Sequence, residues 1–107
     1  MAIDLSTLLR AYAVGLFPMS DDREANSIFW VEPEERAILP LDGFHLSRSL
    51  RKTLRSDRFE VTADQAFHRV ITMCAESAED RPTTWINADI EEAFLRLHHS
   101  GLAHSIE

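Results

Sequence analysis

Glycine is scarce in this chain, with three among 107 residues, at Gly15, Gly43 and Gly101. No stretch can therefore form the glycine-rich loops that cradle phosphates in NTPases and dinucleotide enzymes, which sets those classes aside. There is one cysteine, Cys74. No internal disulfide framework can form, which fits a reducing compartment. The paired spacings of a metal site, HExxH or CxxC, are missing too. The apolar opening "MAIDLSTLLRAYAVGLF" lacks a basic leader and is interrupted by Asp4 and Arg10, unlike a secretory signal. No apolar run reaches the length of a membrane span, and a cytoplasmic protein without a membrane association is expected. Cations are outnumbered 11 to 18, for a net charge of −7. That balance argues against nucleic-acid binding over the whole surface but leaves room for a local basic site.

What is present describes a small globular chain. Hydrophobic residues make up 45% and charged residues 27%, proportions of a folded domain rather than a disordered one. The length allows one domain or part of one. Helical and extended patterns alternate, which predicts a mixed α/β (α+β) fold. Leu5, Leu8, Leu9 and Tyr12 predict a helix over 4–14, with Asp4 or Ser6 at its start and Gly15 at its end. The stretch 16–27 reads as a loop broken by Pro18. Residues 28–31 and 37–39 read as short strands around a turn. Residues 46–55 read as a second helix and 59–62, "FEVT", as a strand. Thr62 and Gln65 have capping-box spacing before a third helix over 63–75. After a loop and a brief extended piece at 85–86, Asn87 caps a fourth helix over 88–100. Its acids lie in the first turn and its histidines in the last, both favourable to the helix dipole. Gly101 ends that helix, and "LAHSIE" reads as the beginning of a strand.

One segment departs from the overall acidity. Between Phe44 and Arg58 lie Arg48, Arg51, Lys52, Arg55, Arg58 and a single acid, Asp57, a local +4 against −11 for the remainder. At helical spacing, Arg48, Arg51, Lys52 and Arg55 fall within an arc of about 100°, and Leu46, Leu50 and Leu54 gather on the opposite side. Like charges three or four residues apart repel by a few tenths of a kcal/mol per pair. Two readings stand: a solvated face that is basic by accident, or a stripe that tracks phosphates and positions a nucleic acid without reading its sequence. In both, the leucines hold the helix on a core and the cations face solvent together.

Other candidates carry the same duality. Trp85, in "RPTTWIN", is either a core tryptophan or a stacking surface for a base. Met19, after Pro18, is either a loop anchor or a soft apolar lid. His98, His99, His104 and Cys74 lack metal-ligand spacing, and adjacent His98 and His99 diverge by about 100° on a helix; no metal is expected. His104 and Ser105 are neighbours on an extended segment and point to opposite faces, which is poor geometry for a nucleophile and its base.

Taken in order, "AYAVGLFPM", "FWVEPEERAILPL", "FHLSRSLRK", "FEVTADQAF", "TWI" and "LHHSGLAHSIE" resemble the leucyl/phenylalanyl-tRNA–protein transferase family from about Leu8 to Glu107. The resemblance implies an aminoacyltransferase that moves leucine or phenylalanine, sometimes methionine, from aminoacyl-tRNA to proteins with N-terminal Arg or Lys, marking them for degradation. It implies a small N-terminal α/β domain, here 1–40, followed by the first part of an acyl-CoA N-acyltransferase-like (GNAT-like) domain, here 41–107. It implies no cofactor, because the tRNA ester is already activated. By resemblance, Arg48, Arg51, Lys52 and Arg55 approach the tRNA acceptor stem. Trp85 and Met19 match positions flanking the terminal adenine, and Met19 stands where some relatives carry tryptophan. Phe94 matches a tyrosine of some relatives near the same pocket. Relatives continue well beyond "HSIE", so this chain is read as an N-terminal half, with the catalytic residues expected beyond Glu107 and little activity expected of it alone. A non-catalytic tRNA- or RNA-binding module is the alternative. A protein-interaction domain with an acidic partner is a further one.

Overall fold

The computed structural model describes residues 2–107. Helix α1 spans Leu5–Ala13. The Asp4 carboxylate caps it, accepting from the Thr7 N–H at 3.0 Å and the Thr7 hydroxyl at 2.9 Å, which satisfies a donor that the first turn otherwise leaves open. Gly15 follows with φ +92°, a conformation that costs a side-chain-bearing residue dearly and glycine little. The chain then enters strand β1, Phe17–Met19, which pairs antiparallel with β2, Phe29–Val31.

Strand β1 corrects the sequence reading, which left 16–27 as a loop because of Pro18. Pro18 faces Trp30 in the ladder. In a two-stranded ribbon both strands are edges, so a residue with no N–H is tolerated where its nitrogen faces away from the partner.

Three helices enclose the core. Helix α3 is Phe67–Ala75 and α4 is Ala88–His99. Leu8 of α1, Ala75 of α3, and Ile90, Ala93 and Leu97 of α4 pack with Ile3 and Ile86 into one buried cluster. The α4 residues recur at intervals of three and four, the spacing of one buried helical face. Asn87 starts α4 as the sequence predicts: its Oδ1 accepts from the Ile90 N–H at 3.0 Å, and its Nδ2 donates to the Ala25 carbonyl at 3.1 Å. The cap thus also ties the loop before β2 to the core.

Several local expectations fail for identifiable reasons. Residues 37–39 form no strand, because no ladder partner lies beside them among the described residues; Ile38 stays 82% exposed. Residues 59–62 form no strand either. Pairing there amounts to the bridge of Ala63 with Ile106, flanked by the exchange between Thr62 and Glu107 and by the Asp64 N–H donating to the Ser105 carbonyl, so "LAHSIE" contributes one bridge and not a strand. The capping box also fails. The Thr62 hydroxyl turns to the Glu107 carboxylate at 2.7 Å, Asp64 takes φ +59°, and α3 begins at Phe67 with no side-chain cap.

Helix α2, Arg48–Arg55, begins at a Ser47 cap and buries none of its residues. The leucines predicted to anchor it do not: Leu50 and Leu54 are exposed and Leu46 is half-buried. The radius of gyration, 16.2 Å, exceeds the about 13 Å expected for a compact domain of this length. The excess reflects the excursion between β2 and α3, which is exposed almost throughout.

Candidate functional site

Two surfaces combine residues that the sequence singles out. The first is the outer face of α2. Arg48, Arg51, Lys52 and Arg55 line one shallow groove with Ser56. All four are exposed, and none has a carboxylate partner within ion-pair distance among the described residues. Capping explains why this segment is helical in spite of its charge. The Ser47 hydroxyl accepts from the Leu50 N–H at 3.1 Å, and Lys52 and Arg55 sit in the last turn, where cations favour the dipole. Four unneutralised cations along two turns produce a local positive field on an acidic molecule.

The second surface is a cleft of about 540 Å³ between α3, α4 and the segments preceding and following α4, a size that suits a small ligand. Val70, Ile71 and Cys74 of α3 and Ile90 and Phe94 of α4 form its apolar walls, with Trp85 at one side and His104, Ser105 and Ile106 at the other. Trp85 and Phe94, predicted to share a pocket, line this cleft together. Met19 does not line it. It sits half-buried in β1, next to Ser20, whose N–H donates to the Trp85 carbonyl at 2.9 Å. Phe17 of the same strand meets the Trp85 ring edge-on at 6.2 Å.

The Trp85 side is held by polar contacts from distant sequence. Arg23 donates to the Ile86 carbonyl at 3.2 Å and to Glu91 at 3.0 Å. The other Glu91 oxygen accepts from the Thr72 hydroxyl at 3.1 Å. Arg23 and Glu91 are both partly buried at this junction, and the pair links the loop before β2, the Trp85 turn, α3 and α4. Phe94 is fixed by an edge contact with Tyr12 at 6.2 Å.

Two carboxylates hold the opposite side. Asp64 accepts from His104 Nδ1 at 2.7 Å and from the Ser105 N–H at 3.0 Å. Glu107 accepts from the hydroxyls of Thr62 and Ser105, each at 2.7 Å, and from the Gln65 N–H at 2.8 Å. The hydrogen bond from His104 holds Asp64 below its usual carboxylate range, and those from Thr62 and Ser105 do the same for Glu107. The Asp64 carboxylate raises His104 above the usual imidazole value. Ser105 Oγ serves Glu107 and not His104, so no serine–histidine pair forms. Among the described residues no three His, Cys, Asp or Glu side chains gather as metal ligands, and no helix is long and apolar enough to cross a membrane.

Sequence reasoning missed the part played by Arg81, Cys74, Asp64 and His104 at this cleft. Their signal was faint. Asp64 sits in a motif that reads as a helix cap, and its pairing with His104 spans 40 residues.

The family model for the leucyl/phenylalanyl-tRNA protein transferase N-terminal domain matches residues 1–34, and that for leucyl/phenylalanyl-tRNA protein transferase matches residues 38–107. The leucyl/phenylalanyl-tRNA–protein transferase of Zymomonas mobilis is 61% identical over 105 residues, covering 98% of this chain and 39% of the relative. Its namesake in Rhizorhabdus wittichii is 60% identical over 106 residues, covering 99% and 43%. The one in Paramagnetospirillum magneticum is 53% identical over 100 residues, covering 94% and 48%. The chain thus spans less than half the length of these relatives. With both family models matched in sequence order across nearly all of its residues, the chain belongs to the leucyl/phenylalanyl-tRNA–protein transferase family.

Proposed function

We propose that the protein acts in aminoacyl transfer from tRNA to protein N-termini, with this chain supplying tRNA docking and part of the aminoacyl-adenosine site. The observation that carries this reading is the cleft: Trp85 and Phe94, 9 residues apart in sequence, wall one ligand-sized apolar space. An indole and a phenyl ring offer a base a stacking surface without demanding a particular sequence. The four cations of α2 supply the complementary part, attraction to the phosphates of the acceptor stem. Met19 lies beside this site through the Ser20–Trp85 hydrogen bond and supports the strand behind Trp85.

In this reading Leu-, Phe- or Met-tRNA is the donor, and a protein with N-terminal Arg or Lys is the acceptor, in the cytoplasm. The free α-amine attacks the ester carbonyl of the aminoacyl-tRNA. A C–N bond forms, the C–O bond to the ribose breaks, the amine loses a proton, and deacylated tRNA leaves with its hydroxyl restored. The ester supplies the driving force, so no cofactor is required. Rate comes largely from holding two macromolecules in register. The division into a small domain at 1–40 and a GNAT-like portion at 41–107 belongs to the same reading, and so does the assignment of catalytic residues to sequence outside this chain.

With Trp30, the second tryptophan, replaced by Phe, Trp85 fluorescence reports directly on the cleft. Puromycin, which joins an adenosine-like nucleoside to an aromatic amino acid, should quench it saturably, and Phe94→Ala should weaken that binding. A flat titration would refute the cleft assignment. A plain RNA-binding module would instead bind tRNA and ignore puromycin.

A further inference from the structure

Both charged-type side chains that line the aromatic cleft, Arg81 and His104, are basic. Its titratable members are Arg81, His104 and Cys74, and no carboxylate lines it among the described residues. That is unexpected in a chain of net charge −7. Arg81 uses one guanidinium N–H on the Glu76 carbonyl at 2.9 Å, a neutral acceptor that leaves its charge unspent. It has no carboxylate partner among the described residues. His104 lines the same cleft, held there by its hydrogen bond to Asp64. An apolar space bounded by rings and edged by cations fits a nucleotide better than a nucleoside: the rings take the base, and the cations take the anionic group attached to the sugar.

We propose that Arg81 and His104 form a phosphate subsite of this cleft that holds the 5′-phosphate of the terminal nucleotide, with Asp64 as the positioning residue that orients His104. The inference rests on reading the cleft as the aminoacyl-adenosine site, and it adds the means by which the RNA end is told from a free nucleoside. A phosphodiester keeps one negative charge at every relevant pH, so the pH dependence of its recognition belongs to the protein. The groups facing His104 are Asp64 on the turn before α3, His98 of α4, whose Nδ1 lies 3.8 Å from the other Asp64 oxygen, and Glu107, reached through Ser105. His98 is otherwise occupied, stacked on Phe67 at 4.2 Å and bonded to the Ala103 carbonyl at 2.9 Å. Histidine is the side chain whose charge changes near neutral pH, so the pH dependence of this subsite falls on His104.

The test compares puromycin with puromycin 5′-(methyl phosphate) on the full chain carrying Trp30→Phe, read by Trp85 fluorescence between pH 5.5 and 8.5. The diester should bind about tenfold more tightly below pH 6.5, the gain expected of charge-assisted hydrogen bonds. The advantage should shrink as pH rises through the His104 titration. His104→Gln should remove the pH dependence, Arg81→Gln should remove most of the remaining advantage, and Arg81→Lys should restore part of it. Each variant should still bind puromycin itself. Asp64→Asn should move the pH midpoint of the advantage downward, which a purely structural role for Asp64 would not do. Equal affinity for the two probes would overturn the subsite and leave the cleft reading intact. Binding of neither would overturn the cleft reading and the subsite with it.

Discussion

Reversing charge on α2 separates docking from folding. In the double variant Arg48→Glu/Arg51→Glu, the new carboxylates fall four residues before Lys52 and Arg55. Each such pair, acid first, stabilises an exposed helix by about 0.2–0.5 kcal/mol. An acid at position 48 or 51 also lies near the N-terminus of α2, where negative charge is favoured. All four side chains are exposed and no α2 residue is buried, so the fold should persist with undiminished helical circular dichroism. Binding to deacylated tRNA should change sharply. Each neutralised phosphate contributes about 0.7–0.9 to the salt slope, so four contacts give a slope near −3, a loss of ~60-fold between about 50 and 200 mM salt. The variant removes two contacts and pairs the two cations that remain. Its slope should fall to about −1.5 or shallower, a loss of at most ~8-fold over the same range. Fluorescence anisotropy at four salt concentrations measures both slopes. An unchanged slope in a folded variant would refute the phosphate stripe.

Further outcomes follow from the packing and the titrating groups. Asn87→Ala removes the α4 cap and strands the Ala25 carbonyl; with Asn87 1% exposed, urea unfolding should show a loss of about 2–4 kcal/mol. Leu8→Ala empties a fully buried core position and should cost about 3–5 kcal/mol by the same measurement. The wall formed by Asp64, His104 and Glu107 should give stability a bounded pH profile. The lowered carboxylates contribute above their ordinary 3.8 and 4.5 and lose that contribution as pH falls through their depressed values. The raised His104 contributes fully below its ordinary 6.5 and loses it as pH climbs through its elevated value. Thermal melts should therefore show this joint contribution at its fullest between pH 4.5 and 6.5, and Asp64→Asn should flatten both flanks. Cys74 lines the cleft with an exposed thiol, so puromycin should slow its alkylation by iodoacetamide; an unaltered rate would place the ligand elsewhere.

Local signals were legible where the decisive partners are close in sequence. Asp4 with Thr7, Asn87 with Ile90 and the positive-φ glycines at 15 and 101 are all punctuation within one turn, and the helices they delimit lie near their predicted positions. Legibility ended where a distant partner decides. Phe17–Met19 becomes a strand only because Phe29–Val31 lies alongside, and nothing in "LFPM" announces this. "TADQ" has the letters of a capping box, but Glu107, 45 residues on, captures the Thr62 hydroxyl. Periodicity in α2 located the basic face but misjudged the other one, because amphipathic spacing reports what a helix is able to bury and not what lies against it. The cleft followed the same rule. Trp85 and Phe94 stood out as aromatic residues in recognisable motifs, whereas His104 is placed by Asp64, 40 residues away, and Arg81, close to Trp85 in sequence, belongs to no motif of its own.

The most direct test of the account is a titration of this chain with Phe-tRNA against the same tRNA deacylated, at several salt concentrations. Salt-dependent binding of both, with the charged form favoured and that preference abolished by Trp85→Ala, is the predicted result. Equal affinity for the two forms, with or without Trp85, would contradict the assignment of aminoacyl-adenosine recognition to this cleft.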